Sequence, residues 1–207
     1  MKNTLRAIVF ACMICSIAQN ARSEEIKADI HAKPRPLVEV KAGYFSFTDG
    51  SMRQVYDQGG LDLQLSGSYP LYKIFQVYAS AEWLEKSGRS LNGYQGTSIR
   101  ETPLSLGLKT VFPITTRVEY YFTLGPRYFF VSAHNNSAYV PHDMNADGLG
   151  GFANTGFLYN IGKHFTIDLF GEYSYARLAF QSNQAETQAY KVQVGGLVLG
   201  AGLGYSF

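Results

Sequence analysis

The strongest constraint on this chain is an apolar–polar alternation of period two that recurs along most of its length. Successive side chains of a β-strand point to opposite faces, so such a stretch has one apolar and one polar side. Leu61, Leu63, Leu65, Gly67 and Tyr69 alternate with Asp62, Gln64, Ser66 and Ser68. Phe75, Val77, Ala79, Ala81 and Trp83 alternate with Gln76, Tyr78, Ser80 and Glu82. The beat returns at Leu104–Leu108, at Val118–Leu124 and at Phe165–Tyr175. It is less clean around Leu37–Phe47, Leu149–Asn160 and Tyr190–Phe207. Eight strands are expected, and no heptad or 3.6-residue stripe competes with them.

The connections add direction. Pro70–Lys73, Phe112–Thr115 and Asn160–Lys163 read as tight turns. Between them lie longer polar segments, Thr48–Gln58, Lys86–Ser98, Ala133–Ala146 and Gln181–Ala189. Alternation alone also describes a soluble barrel with its apolar face inward. A strict succession of short and long links instead matches a membrane barrel with short periplasmic turns and longer extracellular loops.

The first residues point to export. Lys2 and Arg6 precede an apolar run, Ala7–Ala18, which is too short to span a bilayer as a helix. Ala21-Arg22-Ser23 offers small residues for cleavage, so a signal peptide of residues 1–23 is expected. A lipoprotein signal ahead of Cys12 fits less well, because the apolar run continues past that cysteine. Both cysteines, Cys12 and Cys15, fall in the segment to be removed. The mature chain then has neither disulfides nor thiolate metal sites. Cleavage also removes Lys2, Arg6 and Arg22, leaving 15 basic against 16 acidic residues. The slightly basic whole-chain charge therefore implies nothing about nucleic acid. The 15 Tyr, 14 Phe and 21 Gly suit strands with lipid on one side and a crowded polar interior on the other.

Gly202, Tyr205 and Phe207 form a Gly-x-x-aromatic-x-Phe pattern that ends on the last residue. It resembles the signal on the final strand of outer-membrane barrels that the barrel assembly machinery reads. Beyond a polar lead-in at residues 24–36, the whole of residues 37–207 is similar to the small outer-membrane barrel families: opacity proteins, OmpX-type proteins and the membrane domain of OmpA. The resemblance implies an all-β, eight-stranded antiparallel transmembrane barrel in the bacterial outer membrane, with both termini in the periplasm. It implies outer-membrane lipid, lipopolysaccharide and the assembly machinery as partners, with an extracellular ligand open.

If the odd-beat apolar residues face lipid, Glu39, Lys41, Gln64, Glu82, Lys109, Glu119, Arg127, Asp168 and Glu172 face the lumen. Eight strands leave an interior that side chains fill, so these groups are expected to form a network of ion pairs and hydrogen bonds. Aromatic girdles are expected at Tyr69, Tyr72, Phe75, Phe112, Tyr159, Phe165, Tyr205 and Phe207 on the periplasmic side. Trp83, Tyr128, Phe130, Tyr173 and Tyr175 would form the outer one.

No cofactor and no metal centre are expected. Asp143, Asn145 and Asp147 in DMNADG resemble the first half of a calcium loop, but its twelfth position is Asn154 and no helix follows. His31, His134, His142 and His164 read as solvated loop residues. A lipid A deacylase would need a His–Ser–acid constellation at the outer rim, and His134 with Ser132 or Ser137 is the nearest approach. Arg53, Lys86, Arg89 and Arg100 lie in or near the first two long segments, where they could meet lipopolysaccharide phosphates. The reading is a non-enzymatic barrel with a structural or surface-interaction role through its loops. A narrow channel for ions or small solutes is the alternative, and a lipid-modifying enzyme stands third.

Overall fold

A computed structural model describes residues 35–56, 59–89, 96–135, 143–182 and 190–207. The signal peptide, its cleavage point at Ser23, most of the lead-in, His31, Ser137 and His142 lie outside the described residues. Ten strand segments follow in order: β1 (Leu37–Phe47), β2 (Gly59–Tyr72), β3 (Phe75–Arg89), β4 (Gly96–Glu101), β5 (Leu104–Pro113), β6 (Val118–Asn135), β7 (Asp143–Ile161), β8 (Phe165–Ser182), β9 (Tyr190–Val194) and β10 (Gly196–Ser206). A short helix, α1 (Gly50–Tyr56), follows β1.

These segments make eight staves. β4 and β5 both pair with β3 and β6, and only Thr102 and Pro103 separate them. Proline has no N–H to give to a ladder, so the break falls there. The stave still holds through Thr102 N, which donates to Phe130 O at 2.9 Å, and Glu82 N, which donates to Pro103 O at 3.1 Å. β9 and β10 likewise share one stave on β8, divided at Gly195. β10 runs antiparallel to β1 from Leu37↔Ser206 to Phe47↔Gly196, which closes the barrel.

The barrel is inside out relative to a soluble protein. Leu203, Leu149, Phe165 and Leu61 are each more than 60% exposed on its outer face, whereas Lys41, Lys109, Arg127 and Glu39 are at most 1% exposed within it. A continuous apolar belt of this kind has no counterpart on water-soluble monomers. In hydrocarbon it is the favourable surface, because a closed ladder leaves no backbone group unpaired. Trp83, Tyr128, Phe130 and Tyr173 stand on this face toward the end with the long connections. Tyr69, Tyr72, Phe75, Phe112, Tyr159, Phe165, Tyr205 and Phe207 stand on it toward the tight turns.

The strands run further than hydropathy alone indicates. The tight turns fall at 73–74, 114–117 and 162–164, one or more residues later than expected. At the opposite end β6 and β7 remain in register out to His134↔Asp143. Residues 143–148, expected as a loop, are therefore strand, as are Lys86, Arg89, Arg100 and His134. Beyond the apolar belt both faces turn polar and the alternation vanishes, yet each additional rung still satisfies an N–H and a C=O.

The other departure is α1, inside the segment expected to be a plain polar loop. Asp49 Oδ1 accepts from Met52 N at 3.2 Å, as an N-capping carboxylate does. Met52 and Tyr56, four residues apart, are buried on one face against Phe47. Arg53 donates from Nε to Phe47 O at 2.6 Å. The helix lies so close to β3 that a Cβ on Gly88 would stand 2.2 Å from Val55 O, so only glycine fits there. A Gly88→Val variant should retain the barrel but release α1. Limited trypsinolysis of the refolded protein should then cleave at Arg53 faster than in wild type, with the heat-dependent gel shift unchanged.

Candidate functional site

The lumen is the part of the molecule with the most concentrated polar chemistry. Inward-facing positions on seven of the eight staves carry charges or hydrogen-bonding groups, in two layers, whereas from Val192 to Gly204 the β9–β10 stave turns only valine and glycine inward. The layer nearer the tight turns is built around Tyr121 on β6. Lys41 Nζ on β1 donates to Asp168 Oδ2 on β8 at 2.5 Å, and Tyr121 OH donates to the same oxygen at 2.9 Å. Glu39 Oε2 faces Lys109 Nζ of β5 at 3.4 Å and Lys41 Nζ at 3.6 Å. Lys109 Nζ also lies 4.3 Å from the centre of the Tyr121 ring, in cation–π geometry. Two acids and two bases balance in this layer. Gly202 on β10 makes room for it, since a Cβ there would stand 2.8 Å from Lys41 Cγ.

The second layer is organised by Arg127 on β6. Its guanidinium grips Glu82 of β3 with two hydrogen bonds, at 2.9 and 2.5 Å, and reaches Glu172 of β8 at 2.5 Å. Its Nε donates to Ser105 Oγ at 2.8 Å. Planar two-point recognition of a carboxylate is what arginine does and lysine does not. Gln64 Nε2 donates to Glu82 at 2.7 Å, and Asn154 Nδ2 donates to Glu172 at 2.8 Å. Asp62 and Glu101 are buried nearby with no ion pair among the described residues. Six buried carboxylates thus face three buried cations, with the excess acid grouped around Arg127. Phe47, Tyr56, Leu84, Ile99, Phe129 and Val131 are buried in the apolar core that includes α1, toward the long connections.

Eight of the nine residues expected in the lumen are buried there. Glu119 is half-buried at the turn end of β6, opposite Pro113 and Leu158. Tyr121, Asn154 and Ser105 also belong to the network, and Asp62 and Glu101 are buried beside it. Their signal was parity: Tyr121 shares the beat of Arg127, and Asp62 that of Gln64. Tyrosine gives no sign of which face it will take, since it also suits a girdle.

The other singled-out residues are dispersed. Asn145 and Asp147 are exposed on the outer face of β7, and Asp147 accepts a hydrogen bond from Tyr128 OH. A strand holds such residues in a row, unlike the wrapped ligands of a calcium loop, so the polar loop expected for this string is corrected to strand. Among the described residues no group of three or more His, Cys, Asp or Glu is placed to hold a metal. Ser132 and His134 lie two apart on the outer face of β6, not in a loop. His164 is not a free turn residue: its Nδ1 lies 2.9 Å from Ser206 O, and its ring stacks on Tyr205 at 5.5 Å. Tyr205 also meets Phe165 and Phe207 edge-on, so the C-terminal aromatics form one cluster at the closing seam.

No family model matches the sequence, and no curated protein matches it. Solved structures do match the fold. The outer membrane protein OprG from Pseudomonas aeruginosa superposes with a TM-score of 0.61 at 16% identity, covering 84% of this chain and 96% of its own. Neisserial surface protein A does so with a TM-score of 0.56 at 14% identity, covering 83% of this chain and 97% of its own. The N-terminal β-barrel domain of P. aeruginosa OprF gives 0.50 at 13% identity, with 83% and 97% coverage. The chain has the closed eight-stranded fold of the small outer-membrane barrels.

Removing Arg127 should be the most damaging single change in the lumen. Arg127→Met strands Glu82 and Glu172 together and should cost about 3–5 kcal/mol. Urea unfolding of the vesicle-inserted protein measures this. The double variant Arg127→Met/Glu82→Gln should recover part of the loss, because one of the stranded charges is gone.

Proposed function

We propose that this protein is a non-enzymatic outer-membrane barrel whose lumen is a structural core and whose interactions occur at its outer rim and loops. One observation carries the reading: the strongest lumen contacts span the interior instead of following the wall. Arg127 on β6 bridges β3 and β8, Lys41 on β1 bridges to Asp168 on β8, and Lys109 on β5 bridges to Glu39 on β1. Together with the apolar layer that includes α1, these bridges place side chains across the interior, which supports a packed core over an open path. A structure stabilised through its middle leaves function to the surface, where loops carry it in scaffolds of this kind.

Exposure of the apolar belt and the likeness to outer-membrane barrels support that membrane as the location. In this reading the C-terminal strand, with Gly202, Tyr205 and Phe207, is the segment handed to the barrel assembly machinery, and residues 1–23 are the export signal. Lipid and lipopolysaccharide surround the belt. The three buried cations are each paired with buried carboxylates, which ties Glu39, Glu82, Asp168 and Glu172 into the lumen.

Planar-bilayer recording distinguishes this from the channel alternative. The refolded mature protein, shown to be folded by its heat-dependent gel shift, should give no discrete conductance steps. Steady unitary steps with cation selectivity would overturn the structural-core reading, and would be consistent with the excess lumen acid acting as a selectivity element.

A further inference from the structure

Above the apolar belt, four neighbouring strands extend outward and place a row of polar side chains on the lipid-facing side of the wall. The register is direct: Glu85 on β3 lies opposite Arg100 on β4, Arg100 opposite Ser132 on β6, and Ser132 opposite Asn145 on β7. One rung further out, Ser98 lies opposite His134. These residues line a single groove of about 190 Å³ on the outer face. Adjacent strands are spaced about 4.8 Å apart, so the row measures roughly 14 Å, a length suited to a disaccharide.

The groove is lined by hydrogen-bonding groups. The hydroxyls of Ser98 and Ser132 and the carboxamide of Asn145 supply donors and acceptors at short intervals. Arg100 and Glu85 form a half-exposed pair at 3.1 Å, so the row has no net charge from these two and does not select for anionic groups alone. Arg100 lies over the indole of Trp83 at 4.8 Å, which fixes its position at the edge of the belt. Trp83 and Phe130 stand one rung below, already on the apolar face. Whatever occupies the groove therefore has polar rings beside an apolar continuation, lying flush against the outside of the barrel.

We propose that this outward groove binds the saccharide headgroup of an outer-leaflet glycolipid, whose acyl chains run down the belt past Trp83 and Phe130. A soluble saccharide would leave that apolar continuation unused. The proposal rests on the outer-membrane reading given above.

Trp83 is the chain's single tryptophan, which provides a built-in reporter. Refolded protein in detergent is titrated with purified lipid A, a diglucosamine glycolipid, and in parallel with phosphatidylglycerol and with free diglucosamine. Trp83 emission should change saturably with lipid A and with neither of the others. Ser132→Leu/Asn145→Leu should weaken that response by roughly tenfold, about what loss of a hydrogen bond or two accounts for. Both proteins are first checked for the heat-dependent gel shift. Heat-modifiable protein that responds equally to phosphatidylglycerol, that responds equally to the free sugar, or whose variant binds lipid A as tightly as wild type, overturns the groove while leaving the barrel intact. Protein that shows no heat-dependent shift overturns the membrane reading itself.

Discussion

The structure depends on a guanidinium held in the middle of a narrow barrel. Arg127 is 1% exposed, and a charge so placed is tolerable only because two carboxylates and a serine hydroxyl take up its donors. Glu82 and Glu172 belong to β3 and β8, each two staves away from the one that carries Arg127, in opposite directions round the wall. Satisfying the arginine therefore ties distant parts of the wall to a common point. The second knot, Lys41–Asp168–Tyr121, does the same between β1, β8 and β6. In a membrane barrel the hydrophobic effect acts on the outside, so the interior must find cohesion in polar contacts, and these two layers supply it.

The strand order, the facing of each stave and most of the lumen were legible in the sequence, because period two and burial are the same fact seen twice. Glu39, Lys41, Lys109 and Asp168 could be assigned inward simply by counting from the apolar residues beside them, such as Val40, Leu108 and Leu169. The count failed where hydropathy carries no phase. Beyond Trp83 on β3 and Phe130 on β6 the outward residues are as polar as a loop would be, and nothing in Ser132-Ala133-His134 shows that its ladder continues. Residues 143–148 illustrate the same gap from the other side: a string composed like a turn is held straight by its partner strand.

The short helix was missed for a different reason. Its signal is one capping residue, Asp49, and two apolar residues four apart, Met52 and Tyr56. Seven residues are too few to form a helix alone in water. What makes it helical is the inner surface it packs against, chiefly Phe47 and the glycine gap at position 88, and that surface exists only after the barrel has closed. Local sequence could suggest the cap but not the docking.

The staves differ greatly in length. β1 has 11 residues, whereas β6 and β7 have 18 and 19. A cylinder whose wall is that much taller on one side ends in a slope instead of a level rim. The tall side, where the outward polar row crosses β3, β4, β6 and β7, is what a neighbouring molecule in the membrane plane meets first. On the low side β1 gives way to α1. Such a protein has a front and a back, and two copies crowded into the same membrane would be set apart or brought together according to which sides they turn to each other.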